Sequence, residues 1–310
     1  MIYTLTANPS LDRYIELEGI KLGQVNRGTV AKINPGGKGI NISRFLKTLG
    51  IESVIISFIG GITGEALKHE LIKEKMQGCF FNAIGETRIN ITLADKSNKK
   101  ITKINETGPL IPETEKKKLF KFINREIKCN DILVFSGNLA PGLDQDLYYQ
   151  LIIKAKKRGC VCILDASEKA LQVGIEALPQ VLHINKEEAE YLINDKKVRS
   201  NRIGNLARLL IEKGIKLVSI SLGEKGAIFA DPEKMLFVDG PKINVLSSVG
   251  AGDALLAGMI FGMKNKFNLE QTAKFAVAAG SAKTMEIGTD VFKINNIYSI
   301  MQYLTIKEMN

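Results

Sequence analysis

Only two histidines and four cysteines occur in the 310 residues, and that scarcity removes several chemistries at once. Cys79, Cys129, Cys160 and Cys162 show no CxxC spacing, so neither a structural zinc nor a disulfide framework is expected. Cys160 and Cys162 alternate inside the apolar run CVCIL and read as buried strand positions with reduced thiols. Long hydrophobic runs are lacking too. The longest nearly apolar one, Ala254 to Met263, is far short of the roughly 20 residues that span a bilayer. The opening MIYTLTANPSLD has no basic stretch ahead of an apolar one, so no signal peptide is expected and the reading is a soluble, cytoplasmic protein. Missing as well are GxxxxGKS/T and a strand-borne GxGxxG, which withdraws the main support for P-loop and dinucleotide-binding sites.

What is present is ordinary in amount. Hydrophobic residues make up 45% and charged residues 25% of the chain, which suits a globular protein with a substantial core. The formal charge of +10 invites a nucleic-acid reading. The lysines, however, fall in short groups (Lys99–Lys100, Lys116 to Lys118, Lys156 to Arg158, Lys196–Lys197), mostly where helices should face solvent. A solvated surface, or a field that steers small anionic ligands, accounts for them. Neither a nucleic-acid nor a membrane partner is expected.

Apolar, β-rich runs alternate with helical patterns along most of the chain. Strands are expected at 2–6, 53–59, 132–136, 160–165, 181–184 and 217–222, and helices at 39–49, 64–76, 113–127, 145–157, 202–213, 252–263 and 269–285. This alternation predicts an α/β fold, with a mainly parallel central sheet flanked by helices on both faces. Two segments, about 14–33 and 87–107, break the rhythm with shorter, more polar alternating runs. They read as antiparallel strands of a small β-sheet lid, inserted into one domain that spans 1–310.

Two glycine-rich turns stand ahead of helices, where free amides and the helix dipole favour anions. In NPGGKGINISRFL, Asn34 to Leu46, Gly36 and Gly37 let backbone approach a ligand, while Lys38 sets a cation at the helix start. A cation there opposes the dipole, so a ligand role competes with that of a surface lysine on a flexible turn. In SVGAGDALLAGMIFGM, Ser248 to Met263, one carboxylate opens an otherwise apolar helix behind Gly250, Ala251 and Gly252. Asp253 can serve as a dipole-matched helix start. It can equally be a base that takes a hydroxyl proton while the bare amides hold a phosphoryl charge. Spacing alone leaves both open.

Several motifs occur in a fixed order: NPSLD with Asp12, PGGKGIN, GETRIN at Gly85 to Asn90, SGNLAPG at Ser136 to Gly142, NKEE at Asn185 to Glu188, SLGEKGA at Ser221 to Ala227, and SVGAGD. Together they resemble the ribokinase-like (phosphofructokinase B) sugar kinases over essentially the whole chain. VNRG with GETRIN is most similar to the branch of 1-phosphofructokinases and tagatose-6-phosphate kinases. The resemblance implies an ATP- and Mg²⁺-dependent kinase of a ketohexose monophosphate, homodimeric through its lid strands. It implies Asp253 as catalytic base, with the amides of Gly250, Ala251 and Gly252 as the anion hole. It places Asn185, Ser221, Gly223 and Gly226 at ATP, and Glu188 at Mg²⁺ through water. On the substrate side it implies Asp12, Gly36, Gly37 and Asn41 at the sugar, Arg27, Lys38 and Arg88 gathered on its phosphate, and Ser136 and Asn138 close by.

Two departures stand out. The family's Lys-Pro before the NxxE asparagine is His183-Ile184 here, so no ATP contact is assigned to position 183, and His183 reads as a neutral strand histidine. The usual SGSLP is SGNLAP, with Asn138 where serine is common. RINIT, Arg88 to Thr92, is closer to the RINVK of the 1-phosphofructokinases, which favours fructose 1-phosphate over tagatose 6-phosphate. A kinase of an unphosphorylated sugar would leave three cations unpaired. A non-catalytic sugar-phosphate sensor would have no need of Asp253.

Overall fold

The structure is a computed structural model that describes residues 1–98, 100–194 and 203–309. Lys99, the Lys196–Lys197 pair and the first residue of the helix expected at 202–213 lie outside the described residues.

Ten strands build the central sheet: β1 (Ile2–Thr6), β4 (Val54–Ile59), β5 (Gln77–Asn82), β8 (Ile132–Ser136), β9 (Val161–Asp165), β10 (Val181–Asn185), β11 (Leu217–Ser221), β12 (Gly226–Ala230), β13 (Met235–Asp239) and β14 (Ile306–Met309). Their spatial order is β14-β13-β12-β11-β10-β9-β8-β1-β4-β5. Pairing is parallel from β5 across to β11 and antiparallel from β11 to β14. The parallel strands are the continuous apolar runs that two covered faces demand. Within β8, Leu133 and Phe135 face one core, with helices α3 (Glu113–Glu126), α4 (Leu147–Lys157), α5 (Glu168–Ile175), α6 (Lys186–Asn194) and α7 (Ile203–Glu212). Ile132 and Val134 face the other, with α1 (Lys38–Thr48), α8 (Ala251–Lys264), α9 (Leu269–Thr284) and α10 (Ile294–Met301). The two-residue alternation of a strand thus sorts one short segment into both cores. The remaining helix, α2 (Gly61–Lys73), packs Leu67 and Leu71 on Ile40, Ile55 and Ile59.

A separate four-stranded sheet has the order β3-β2-β6-β7, from β2 (Ser10–Leu17), β3 (Thr29–Gly36), β6 (Arg88–Asp95) and β7 (Lys100–Asn105). Its outer pairs are antiparallel, but β2 and β6 run parallel, which corrects the expectation of a wholly antiparallel lid. Those two strands are far apart in sequence, so no hairpin turn constrains their direction. The antiparallel extension β12–β14, strand β5 and helices α5, α6 and α10 were likewise absent from the expectation. Among the described residues no helix is long and apolar enough to cross a membrane, and all four cysteines are free.

β1 has β4 on one side and β8 on the other, so the chain's progress across the sheet reverses there. Such a reversal opens a crevice at the carboxyl ends of parallel strands. Thr6, Ser136, Asp165, Asn185 and Ser221 are the strand-end residues at that rim.

Candidate active site

Helices α1 and α8 bring their first turns together at this rim. Gly37 takes φ +113 ahead of α1, and a Cβ there would press on Thr6 Cγ2. The chain can therefore cross the end of β1 at contact distance only as glycine. Thr6 Oγ1 accepts the amide of Ile40 at 2.9 Å, so the strand end caps the helix that crosses it. Gly250 opens α8 in the left-handed region, φ +79, with no side-chain cap. Among the described residues the amides of Gly250, Gly252 and Asp253 have no partner, whereas Ala251 N–H points to Ser248 O at 3.3 Å. Three of these donors are thus open to an anion.

Asp253 is nearly buried, and Asn41 Nδ2 donates to its Oδ2 at 2.8 Å across the two helix starts. Burial pushes its carboxyl above the ordinary range, against the opposing pull of Lys38 and of the Asn41 bond. The result is a stronger base than a surface aspartate, held in orientation by one amide.

Lys38 occupies an unexpected place. Its Nζ lies 2.9 Å from Asp165 Oδ1 and 3.3 Å from Glu188 Oε1, joining the end of β9 to the first turn of α6. Burial works against the ammonium, but Asp165, Glu188 and Asp253 together hold its pKa up. Burial raises the Asp165 carboxyl despite Lys38, and its buried Oδ2 has no partner among the described residues. Glu188 is held below its usual range: burial is outweighed by Lys38, the Asn185 amide and the Ser167 hydroxyl. Asn185 and Glu188 also cap each other's backbone amides at 2.8 Å, a capping box at the start of α6. Three carboxylates thus surround one ammonium.

Toward the small sheet, Asp12 Oδ1 accepts Ser10 Oγ at 2.6 Å and Asn90 Nδ2 at 3.1 Å. Gly36 lies against the Asp12 carboxylate so closely that any Cβ would collide with it. Among the described residues the buried side-chain oxygens of Asn8, Asn41 and Asn90 have no partners. Unsatisfied acceptors of this kind fit a ligand rich in hydroxyl donors. Arg88 reaches Asn8 O at 3.0 Å and Glu106 O at 3.2 Å, close enough to Asp12 for their charges to interact. Arg27 is exposed on the connection between β2 and β3. The three cations expected on one phosphate thus have different surroundings here: Lys38 pairs with Asp165 and Glu188, Arg88 bonds the carbonyls of Asn8 and Glu106, and Arg27 is exposed.

Ser136 ends β8 with its Oγ buried and unpartnered among the described residues, while Asn138 is exposed just beyond it. Ser221 pairs in register with Asn185, and the chain then passes Gly223, φ +63 with open space around it, before Gly226 at φ +110. His183 is buried on β10, its Nδ1 2.9 Å from Ser219 Oγ. Burial, aided by Lys38, pulls its pKa down to about 4, so the ring is neutral as expected. A Cβ on Gly252 would stand 3.3 Å from His183 Nε2, which places the ring beside the α8 turn. Asp165 was missed as a site residue, although a carboxylate closing the otherwise apolar CVCILD is a readable signal of a strand end at a site.

A model of the pfkB family of carbohydrate kinases matches residues 5–294. The chain belongs to that family. It is 32% identical to a 1-phosphofructokinase of Bacillus subtilis over 294 residues, covering 94% of this chain and 96% of that protein. It is 31% identical to a tagatose-6-phosphate kinase of Staphylococcus epidermidis, covering the whole of both. Phosphofructokinase-2 of Escherichia coli, solved in complex with potassium, superposes with a TM-score of 0.91 at 32% identity over 97% of this chain and 98% of that one. Membership gives the Asp253 turn and the small sheet a shared setting, that of a pfkB carbohydrate kinase.

Proposed function

We propose that this pfkB kinase transfers the γ-phosphoryl group of ATP to a ketohexose monophosphate, fructose 1-phosphate ahead of tagatose 6-phosphate, giving a bisphosphate. The observation that carries the reading is Asp253 itself: a nearly buried carboxylate, oriented by Asn41, beside three unpartnered amides at the α8 start. Its raised pKa suits the removal of a proton from a primary hydroxyl as that oxygen attacks phosphorus in line. The open amides of Gly250 and Gly252 take up charge on the phosphoryl oxygens. Lys38, fixed by Asp165 and Glu188, sets its ammonium toward the transferred group rather than the sugar's own phosphate. Arg88, with Arg27 brought in by the lid, remains for that phosphate, which guanidinium groups bind bidentately. Asp12, Asn41 and Asn90 hold the sugar hydroxyls. ATP lies along Asn185, Ser221, Gly223 and Gly226, where the open space beside Gly223 leaves room.

Mg²⁺ fits the charge of the site. Three carboxylates face one ammonium, and Asp165 Oδ2 is an orphaned buried acceptor. Among the described residues no group of three or more acidic, histidine or cysteine side chains is arranged to hold a metal by itself. That suits an ion carried mostly by nucleotide phosphates and water, with Glu188 and Asp165 in attendance. When bound, the ion neutralises charge on the phosphoryl oxygens.

The lid exposes Leu22, Val25, Val30, Ile33, Ile101 and Ile104, and a groove of about 320 Å³ opens beside Ile15, Ile20 and Val30. Pairing of two lids in a homodimer would cover these residues. A cytoplasmic setting agrees with the free thiols and with the need for ATP.

Removing the Arg88 charge (Arg88→Ala) is expected to raise KM for the sugar phosphate about 10- to 150-fold and leave KM for ATP within a few-fold. Charge-assisted hydrogen bonds of this kind contribute roughly 1.5–3 kcal/mol. Equal losses for both substrates, read from steady-state kinetics, would place Arg88 elsewhere. For the sugar, kcat/KM over a panel of hexose phosphates with ATP decides. Activity on both fructose 1-phosphate and tagatose 6-phosphate is expected, the former ahead. A preference for tagatose 6-phosphate would change the sugar and keep the mechanism, while activity on free fructose alone would overturn both.

A further inference from the structure

Lys283, near the end of α9, is 0% exposed, the only lysine among the largest fully buried side chains of the described residues. Among the described residues its one hydrogen bond is long, Nζ to Glu286 O at 3.4 Å, and the neighbouring Asp290 carboxylate is paired with Lys32 at 3.0 Å instead. A desolvated ammonium with so little satisfaction is unfavourable on structural grounds alone. Its position suggests the compensation. A Cβ on Gly250 would meet Lys283 Cε at 3.7 Å, and one on Gly280, a turn earlier on α9, would meet Ala251 O at 3.0 Å. Leu246 and Ser247 donate their amides to Thr284 O at 2.7 and 3.1 Å. The segment that opens α8 is thus laid against the end of α9, with Lys283 at the contact.

We propose that Lys283 is a positioning residue of the phosphoryl-transfer step, its buried ammonium fixing the Gly250–Gly252 turn and adding positive charge behind the amides that receive the transferred group. The inference rests on the reading of that turn as the phosphoryl site. The charged groups facing the ammonium are Asp253 from α8, Arg44 from α1, and Glu286 and Asp290 from the segment after α9. Arg44 is committed elsewhere, forked onto Glu74 at 2.7 Å and bonded to Thr289 O at 2.8 Å. Burial lowers the Lys283 pKa to about 8, so the group stays charged at neutral pH. The positive charge near Asp253 is therefore supplied from both sides, by Lys38 and by Lys283.

The test compares Lys283→Met and Lys283→Arg with the parent, using ATP and fructose 1-phosphate. For Lys283→Met the expected result is a kcat lower by roughly 10- to 100-fold, with both KM values nearly unchanged. Lys283→Arg should retain more of the rate. In Lys283→Ala, ammonium or methylammonium should restore part of kcat, whereas tetramethylammonium at equal ionic strength should not. A KM-neutral loss restored by a small cation is not what lost packing alone would give. Parental kcat in Lys283→Met, or a loss that no small cation restores, overturns the inference. Should Lys283→Met fail to fold, the arginine variant and the cation series on Lys283→Ala decide by the same criteria. If the parent enzyme itself turned over no sugar phosphate, the underlying reading of the turn would fall instead.

Discussion

Asp253→Asn is expected to lower kcat by roughly 10²–10⁴-fold, the range for losing a general base, while binding of ATP and sugar phosphate persists. The amide keeps the shape and can still meet Asn41, but it accepts no proton. The same substitution is expected to leave Tm unchanged or higher. Burial raises the Asp253 pKa in the folded state, so this group's stabilising contribution is present at acid pH and lost as pH rises through the folded value. Above that folded value the ionised carboxylate is a net burden that asparagine removes. In the parent, kcat/KM should fall on the acid side with an apparent pKa above the roughly 3.9 of an unperturbed aspartate. That limb should vanish in the variant. A folded Asp253→Asn enzyme that kept more than about half its kcat would exclude Asp253 as the base.

Lys38→Met should have the largest effect on stability. Methionine fills much of the space of the lysine stem but leaves Asp165 and Glu188 without their cation. Breaking a buried pair costs about 3–5 kcal/mol. The Lys38 side chain is 31% exposed, which lowers the expectation to about 2–4 kcal/mol, a Tm drop of several degrees. The pH dependence carries the sign. Without Lys38, the folded-state pKa values of both carboxylates move up, so the stability they contribute is present at acid pH and lost as pH rises. For Glu188, which Lys38 holds below its usual range, the deficit against the parent should therefore widen as pH rises from acid to neutral and shrink toward acid pH, whereas Asp165, raised to about 8 with Lys38 still in place, adds to it only above that value. Thermal unfolding at a series of pH values reads this directly. A uniform deficit across pH would mean that lost packing, not lost charge, is the cause.

The legibility of the sequence differed sharply between parts of the molecule. The parallel strands were readable because burial on both faces makes each a short continuous apolar run, as in ILVFS at β8. α8 and α9 were readable from long apolar patterns with glycine or asparagine at their starts. The lid was visible as polar alternation, but its direction of pairing was not. The β2–β6 register joins Ser10 to Arg88, and no local signal spans that separation. At the site, the Gly250–Gly252 turn and Asp253 follow from residues close in sequence to a helix start, whereas Asn41 came only with the resemblance to the sugar kinases, and its bond to Asp253 spans 212 positions. The Lys38–Asp165 and Lys38–Glu188 contacts join residues 127 and 150 positions apart. A lysine after two glycines looks alike whether it faces a ligand phosphate or a carboxylate at another strand end. Lys283 was invisible for a related reason: a lysine in an alanine-rich helix normally marks its wet face, and only the packing of α8 on α9 buries it.

Moving a phosphoryl group and merely binding a sugar phosphate leave different products in solution. ³¹P NMR of the parent protein with ATP, Mg²⁺ and fructose 1-phosphate reads the difference most directly. The γ-phosphate signal is expected to fall while ADP and a second sugar phosphomonoester signal rise in equal amounts, and Asp253→Asn is expected nearly to abolish the change. Binding of ATP and sugar phosphate by calorimetry, with no ADP and no new phosphomonoester from any ketohexose monophosphate, would contradict phosphoryl transfer.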